Sequence, residues 1–312
     1  MTRTERPKVI LGTRGSKLAL AQSENIADRL RKAGIPVEIQ TIKTTAEQRP
    51  DESFAQIDQR DLFTKQIDDA LLSGGIDLAV HSLKDIPTDV PDGTEIVAVP
   101  ERHEPSDALV SQQRYDVDGL PDGAVVATSS LRRRAQLLAY RPDLKIADIR
   151  GNVDTRVRKV LEDGHADAAV LAGAGLSRIG HSAPRTEIPH NILLPAVGQG
   201  ALAVTIQTGH ELGDRVRSIL NDPEAEWAVL AERAMLSELE GGCRVPVGGY
   251  AVVDGAGIHL RGRVVSVDGA MSFKAEGRGD EPEALGVSVA RDLLEQGAEI
   301  ILSEVRQARS GA

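Results

Sequence analysis

An apolar run that turns abruptly polar lies at residues 76–85, where the sequence is IDLAVHSLKD. Its first half, 76–80, has the length and apolar character of a buried strand, and 81–85 supplies polar side chains where that strand ends. A similar apolar run at 125–127 leads into the polar residues 128–130, and another at 168–171 leads into the small residues 172–175. Buried strands that alternate with helices predict parallel sheets, in which ligands bind beyond the carboxyl ends of the strands.

Helices are predicted between these strands in the first two thirds of the chain. Ser16 is suited to cap a helix that ends at Gly34, and the apolar spacing within 62–71 predicts a second helix. Residues 37–42 alternate between apolar and polar side chains, which predicts a strand. Residues 44–60 are polar and aperiodic, and a segment of this length predicts a mobile loop.

The last third has a different pattern. Pro223 favours the first turn of a helix, and the turn pairs Asp254-Gly255 and Asp268-Gly269 separate runs of Val, Ile and Leu. A helix over 282–296 and a strand at 300–302 are predicted to follow. This part of the chain therefore indicates a smaller α+β domain with an antiparallel sheet.

Composition excludes several classes of protein. The 312 residues are 41% hydrophobic, 27% charged and 2% aromatic, with a net charge of -10. About two domains, or three smaller ones, fit this length. One cysteine allows no internal disulfide framework and no Cys-rich zinc site. The acidic charge and scarce aromatics argue against binding to nucleic acid.

Without an apolar run of about 20 residues or a leader, we expect a cytoplasmic protein and no membrane partner. The acid excess suits either a salty or an ordinary cytoplasm.

Several cations lie at or just after the predicted strand ends. Each of them alone is compatible with an ordinary solvated surface, but several guanidinium groups at one end of two sheets indicate a ligand with several carboxylates or phosphates. Thr128-Ser129-Ser130 opens a helix and adds hydroxyls and backbone N–H groups suited to an anion. The cations are Arg14, Lys84, Arg132, Arg133, Arg150, Arg156 and Arg178.

The sequence allows two roles for Asp85 and two for Cys243. Asp85 either forms a salt bridge to one of these arginines or stabilises a developing cation on a substrate. Cys243 is either an inert buried thiol or, between Gly242 and Arg244, a nucleophile or a covalent attachment point. The Gly-x-Gly pairs at 173–175 and 198–200 lack the rest of a dinucleotide-binding fingerprint and indicate tight turns instead.

Six motifs occur in order along nearly the whole chain. Together they resemble the hydroxymethylbilane synthase family, also called the porphobilinogen deaminase family. They are GTRGSKLALAQ at 12–22, AVHSLKDIP at 79–87, TSSLRR at 128–133, RGNVDTR at 150–156, LPAVGQG at 194–200 and EGGCRVP at 240–246.

The resemblance implies an activity and a fold. Such transferases join four porphobilinogen molecules head to tail with loss of ammonia, giving linear hydroxymethylbilane for tetrapyrrole and haem biosynthesis. They build the product on a covalent dipyrromethane cofactor, and the resemblance implies that Cys243 would hold it as a thioether. The fold implied is α/β, with two periplasmic-binding-protein-like (type II) domains of mostly parallel sheets around a cleft and a smaller α+β domain with an antiparallel sheet. The expected domains are 1–99 with 200–220, 100–199 and 221–312.

The resemblance also implies roles for residues and partners. Asp85 would be the catalytic carboxylate. We expect a monomer whose partners are porphobilinogen and, for the product, uroporphyrinogen-III synthase, with no metal. The residues implied to bind cofactor or substrate are Arg14, Ser16, Ser82, Lys84, Thr128, Ser129, Arg132, Arg133, Arg150, Gly151, Arg156, Gly175, Arg178 and Gln199.

Some positions depart from the family pattern. Ala46-Glu47 replaces a frequent Gly-Asp pair. At 58–61, DQRD replaces the glycine-rich segment that leads to Leu62-Phe63 in the family, and Arg60 would still supply a cation there. Gln207 stands where an arginine is often found. The alternatives are a binding protein with the same two lobes and no chemistry, or a regulatory nucleic-acid binder. Cys243 and the third domain argue against the first, and the acidic composition argues against the second.

Overall fold

The computed structural model describes residues 8–44, 64–239 and 245–310. The chain forms two compact units. One contains Met1–Arg102 and Ala201–Glu226, and the other contains His103–Gly200 and Trp227–Ala312. Within the described ranges, no helix is both long and apolar enough to cross a bilayer.

The first unit is built on a five-stranded sheet. Its elements are β1 (Val9–Thr13), α1 (Lys17–Lys32), β2 (Val37–Thr41), α2 (Lys65–Leu72), β3 (Leu78–Ser82), a 3₁₀ turn (Leu83–Asp85), β4 (Thr94–Ala98), β10 (Leu202–Gln207) and α6 (Gly213–Leu220). The strand order is β2-β1-β3-β10-β4. β1 pairs in parallel with β2 and β3, while β10 pairs antiparallel with both β3 and β4. Four of the five strands therefore run in the same direction.

Helix α1 covers one face of this sheet because its apolar side recurs at helical spacing. Ile26 and Leu30 are fully buried against the strand residues Leu11 and Leu78. Ser16 is the N-cap predicted from the sequence, and its hydroxyl accepts a hydrogen bond from the backbone N–H of Ala19 at 3.2 Å. The cap fixes the start of the helix directly after β1.

The second unit contains another five-stranded sheet. Its elements are β5 (Asp107–Val110), β6 (Val125–Ala127), α3 (Leu131–Tyr140), β7 (Lys145–Ala147), α4 (Val153–Leu161), β8 (Ala168–Ala172), α5 (Gly173–Arg178) and β9 (Arg185–Glu187). The strand order is β7-β6-β8-β5-β9. β6 is parallel to β7 and β8, and β5 is antiparallel to β8 and β9, so this sheet repeats the arrangement of the first.

The second unit also contains a three-stranded antiparallel sheet, β11-β12-β13. The predicted turns at Asp254-Gly255 and Asp268-Gly269 join its strands, and helices pack on it to form a separate apolar core around Met235 and Leu260. The elements are α7 (Pro223–Glu238, which begins in the first unit), β11 (Val247–Asp254), β12 (Gly257–Val265), β13 (Ser272–Gly279), α8 (Pro282–Glu295) and α9 (Ala298–Ser310).

The predicted strand at 300–302 is wrong. This segment belongs to helix α9, in which Ala298, Ile301, Leu302 and Val305 are buried. Their spacing of three and four residues places them on one side of a helix, and this side packs on the three-stranded sheet. The predicted loop at 44–60 lies, apart from Thr44, outside the described residues.

Candidate functional site

A pocket in the first unit lies where β1 and β3 end. It is partly open to solvent. Because the two strands are adjacent and parallel, the residues that follow each of them meet at one edge of the sheet. The pocket is lined by Arg14, Ser16, Leu18, Ala19, Gln22, Thr64, Val80, His81, Ser82 and Asp85.

Asp85 is a half-buried carboxylate at the end of the 3₁₀ turn that follows β3. The turn is closed by a hydrogen bond from the N–H of Ile86 to the carbonyl of Leu83. Within the described ranges, no cation lies within 4.0 Å of the Asp85 carboxylate. The salt bridge that the sequence left as an alternative is therefore absent from this part of the chain.

Two polar side chains that line the pocket, one from α1 and one from β3, are joined by a hydrogen bond. The Gln22 Nε2 donates to the Ser82 Oγ at 2.9 Å, and Gln22 is buried. This bond joins the first helix to the strand that leads to Asp85. The half-buried side chain of Arg14 supplies a cation to the same pocket.

His81 is a buried, uncharged side chain beside this pocket. Burial and, to a lesser extent, the nearby charge of Arg14 together lower its pKa to about 4. Its Nε2 lies 3.3 Å from the hydroxyl of Thr205 on β10. At neutral pH the imidazole therefore adds polarity to the pocket wall without adding charge.

A second group of predicted residues surrounds Asp107 in the second unit. Arg133 donates to the Asp107 Oδ1 from Nε at 3.0 Å and from Nη2 at 2.7 Å, and the Arg132 Nη1 lies 2.8 Å from Oδ2. The Gln199 Nε2 donates to Oδ1 at 3.0 Å. All four side chains are buried, with Arg132 4% and Arg133 7% exposed.

The charges in this cluster do not cancel. Burial alone would raise the pKa of Asp107, but Arg132 and Arg133 hold it well below its usual range, so Asp107 is ionised. Burial also lowers the pKa of Arg132, while Asp107 raises it. Two guanidinium groups share one carboxylate, which leaves about one positive charge in the cluster.

Arg178 is a mostly buried cation at the end of α5, six residues beyond the end of β8. Burial lowers its pKa to about 10, and its Nη2 donates to the carbonyl of Gly200 at 2.6 Å. In the part of the chain that the structure describes, it has no carboxylate partner within 4.0 Å. Gly200 has φ +86°, and a side chain there would overlap the carbonyl of His103, which explains the tight turn predicted at 198–200.

The serines that open α3 bond mainly to the backbone. The Ser129 Oγ donates to the carbonyl of Ile149 at 2.9 Å and accepts from its N–H at 3.0 Å. The Ser130 hydroxyl caps α3 by accepting from the N–H of Arg133 at 3.5 Å. The hydroxyl of the buried Thr128 accepts from the N–H of Ser130 at 3.2 Å.

The remaining predicted residues lie in separate places. Arg150 and Gly151 are exposed before α4, and the Arg156 Nε donates to the carbonyl of Gly151 at 2.7 Å. Lys84 is half-buried in the turn before Asp85, and Gly175 is buried within α5. Cys243 lies outside the described residues.

Sequence reasoning missed several residues at these sites. Asp107 is the most important, and the signal available for it was a carboxylate at the edge of the apolar run 108–110. His81 and Gln22 stand inside motifs already quoted but were given no role. Their polar side chains in otherwise apolar segments were the available signal.

Family models cover most of the chain. Residues 9–214 match the model described as "Porphobilinogen deaminase, dipyromethane cofactor binding domain", and 227–295 match "Porphobilinogen deaminase, C-terminal domain". The chain belongs to the porphobilinogen deaminase family. The predicted family, the transferase class and the dipyrromethane cofactor are thereby confirmed, as is the predicted α/β fold with its additional antiparallel sheet.

Relatives named porphobilinogen deaminase match over nearly their whole length. The protein of Rubrobacter xylanophilus is 59% identical over 299 residues, covering 96% of this chain and 98% of the relative. That of Moorella thermoacetica is 45% identical over 309 residues, with 97% and 98% covered. That of Geobacillus kaustophilus is 44% identical over 303 residues, with 96% and 98% covered.

Solved structures of binding proteins are also similar to this chain. An ancestral cationic amino-acid solute-binding protein matches with a TM-score of 0.44 at 19% identity, covering 68% of this chain and 87% of that one. A methionine-binding protein matches with a TM-score of 0.41 at 15% identity, with 67% and 86% covered.

Proposed function

We propose that this chain acts as a hydroxymethylbilane synthase that condenses four porphobilinogen molecules head to tail with loss of ammonia. Its family membership supports the reaction class. The observation that carries the proposal is Asp85, a half-buried carboxylate that lines the pocket with no cation within 4.0 Å among the described residues. Such a carboxylate is available to a substrate that develops positive charge.

The pocket residues serve the departure of the amine. Arg14 pairs with a carboxylate of porphobilinogen and so fixes the orientation of the ring. As the bond from the side-chain methylene to the protonated amine nitrogen breaks, its electron pair leaves with nitrogen as ammonia, and positive charge spreads over the pyrrole. Asp85 stabilises that charge until the α-carbon of another pyrrole bonds to the methylene. That carbon then loses its proton, which the released ammonia takes up as ammonium.

The residues of the second unit fit an anionic cofactor. The Asp107 cluster carries about one excess positive charge, and Arg178 is mostly buried without a carboxylate partner in the described part. A buried cation without a paired anion is costly, so a ligand carboxylate is its natural complement. The residues that would hold the dipyrromethane or the growing chain are Thr128, Ser129, Arg132, Arg133, Arg150, Gly151, Arg156, Gly175, Arg178 and Gln199.

Cys243 would hold the cofactor through a thioether. It is the one cysteine in the sequence, which suits a single point of attachment. When bound, the dipyrromethane supplies a free pyrrole α-carbon on which the chain is begun. A covalent attachment keeps the growing product on the enzyme between condensations.

The domain boundaries and the cellular setting are also part of the proposal. The domains would be 1–99 with 200–220, 100–199 and 221–312, and the separate core of the three-stranded sheet supports the third. The protein would be a cytoplasmic monomer. Its unstable linear product would require an enzyme that closes the ring, which is the chemistry of uroporphyrinogen-III synthase.

The intact mass of the purified protein tests the attachment. We expect extra mass equal to two deaminated porphobilinogen units, together with a positive aldehyde colour test for pyrroles. Cys243→Ala should give a soluble protein without this mass. A covalent pyrrole on Cys243→Ala would contradict the attachment. Unmodified wild-type protein that gains no mass when porphobilinogen is added would indicate a binding protein without chemistry.

Turnover of porphobilinogen tests the role of Asp85. Asp85→Asn keeps the size of the side chain but removes its charge, and kcat should fall by about a hundredfold or more with the fold and cofactor retained. The matched control is Asp92→Asn, which changes an exposed aspartate and should leave kcat unchanged. Near-normal turnover by Asp85→Asn would refute the mechanism.

A further inference from the structure

Thr64 is a buried residue of the pocket that the proposed function does not use. It directly precedes α2, only 3% of its surface is exposed, and it lines the pocket together with Arg14 and Asp85. Its backbone carbonyl accepts the first hydrogen bonds of the helix, from the N–H groups of Ile67 and Asp68. The backbone of Thr64 therefore has a structural role, and these bonds do not involve its side chain.

The hydroxyl of Thr64 has no hydrogen-bond partner within the described ranges. Thr64 occupies the N-cap position of α2, where a threonine hydroxyl usually accepts a hydrogen bond from the helix backbone, but here it forms no such bond. A buried hydroxyl without a partner loses its bonds to water and gains none in return. Such a group is rare in a folded protein and requires an explanation.

The other hydroxyls of the pocket differ from that of Thr64. Ser82 is bonded to Gln22 at 2.9 Å, and Ser16 caps α1 by accepting from Ala19 at 3.2 Å. Both have defined partners on neighbouring elements. Thr64 alone among these three hydroxyls is left for a group that occupies the pocket.

We propose that the Thr64 hydroxyl donates a hydrogen bond to a carboxylate of the bound porphobilinogen. This rests on the proposed function, which supplies a substrate with two carboxylates and one amine. A hydroxyl bonds more strongly to an ionised acceptor than to a neutral one, and Arg14 in the same pocket already favours an anionic group. Thr64 is then a residue that determines specificity for the acid side chains of the substrate.

Two substitutions separate the hydroxyl from the shape of the side chain. Thr64→Val keeps the branched shape and removes the hydroxyl, so kcat/KM for porphobilinogen should fall about tenfold or more, mainly through KM. Thr64→Ser keeps the hydroxyl and should stay within about threefold of the wild type. Unchanged kcat/KM in Thr64→Val would overturn the proposal.

Thermal unfolding distinguishes a substrate contact from a structural one. Removal of a buried hydroxyl without a partner should leave the midpoint of Thr64→Val equal to or above that of the wild type. If this variant loses stability along with kcat/KM, the hydroxyl serves the fold, and the proposal is overturned.

Inhibition by substrate analogues identifies the group that Thr64 contacts. Porphobilinogen in which one acid is converted to the amide is tested as a competitive inhibitor of the wild type and of Thr64→Val. For one of the two possible amides, the two proteins should bind the analogue within about threefold, because the charged acceptor is gone. If both analogues keep the tenfold difference, Thr64 contacts another group, and the proposal fails.

The wild-type assay separates this proposal from the proposed function. If the wild-type holoenzyme does not consume porphobilinogen, both fail together. If the wild type turns over and Thr64→Val equals it, only the role of Thr64 fails.

Discussion

His81 is a titratable side chain whose buried surroundings oppose its protonation. In the folded protein its pKa is lowered to about 4, whereas the unfolded chain takes up the proton near pH 6.5. Between these values the unfolded state binds more protons, so the free energy of unfolding falls as the pH falls. For this one group the loss at pH 5 is about 2 kcal/mol.

The effect is measured by urea unfolding at pH 7 and at pH 5. His81→Gln retains a polar side chain near Thr205 but cannot take up a proton, so it should lose less stability on acidification than the wild type. His165→Gln changes an exposed histidine and serves as the control. Equal acid sensitivity in His81→Gln and the wild type would contradict the assignment.

Asp107 is the carboxylate that pairs with two buried guanidinium groups, and its removal should lower stability strongly. Asp107→Asn leaves Arg132 and Arg133 without an anionic partner in the core, at a cost of about 3–5 kcal/mol in the free energy of unfolding. Asp143→Asn removes a carboxylate from a pair with Arg141 at the surface and should have little effect. Denaturant titration compares the two, and similar losses would count against the buried cluster.

Some residues of the pocket could be predicted from the sequence because they lie directly after a predicted strand. Arg14, Ser82 and Asp85 follow adjacent parallel strands, and strand ends can be inferred from apolar runs. Asp107 could not be assigned in this way, because its partners Arg133 and Gln199 are 26 and 92 residues away. Helix α3 and the turn at 198–200 bring these two side chains to Asp107 on β5 only in the folded unit.

At the scale of elements, Glu232 joins one helix to two other segments. It is fully buried on α7 and accepts hydrogen bonds from the N–H groups of Gly198 at 2.7 Å and Ala251 at 2.8 Å. These two bonds connect α7 to the turn that contains Gln199 and to strand β11. Their loss leaves two buried donors without an acceptor.

Glu232→Ala should therefore lower the free energy of unfolding by about 2–4 kcal/mol. Amide hydrogen exchange should become faster at Gly198 and Ala251. Glu224→Ala on the exposed side of α7 is the matched control and should leave both amides protected. Unchanged exchange at these amides in Glu232→Ala would show that the carboxylate does not hold the segments together.

The error at the C-terminal helix shows where element prediction fails. Ile300-Ile301-Leu302 is a short apolar run with β-branched residues, which is as compatible with a buried strand as with a helix. The structure favours the helix because Ala298 and Val305 continue the same buried side. A longer window would have included them, whereas the turn pairs of the three-stranded sheet identified its strands directly.

At the scale of the whole molecule, each apolar core is drawn from one of the two units. The core around Leu11 and Leu78 belongs to the first unit, and the core around Leu109 and Val170 belongs to the second. Hydrogen exchange of Asp107→Asn should therefore accelerate in β5, β6 and β8 more than in β1 and β3. An equal increase in the exchange rate in both units would show that the two units unfold together.

The alternation of strands and helices was sufficient to predict the fold class, because it depends on periodicity that the sequence displays. The exact membership of each sheet was not predictable. β10 lies between β3 and β4, although it follows β4 by about a hundred residues of chain. Such long-range pairing is determined by the packed sheet and not by local propensity.

This placement of β10 has a consequence for synthesis on the ribosome. Among the described strands, β10 is the pairing partner of β4, so β4 lacks this neighbour in the first sheet until residues 202–207 are present. The first sheet therefore cannot be completed until residues 103–200 have already emerged, and these contain every strand of the second sheet. The unit whose translation begins first is then the unit that finishes folding later, and the edges of β3 and β4 are exposed to chaperones during that interval.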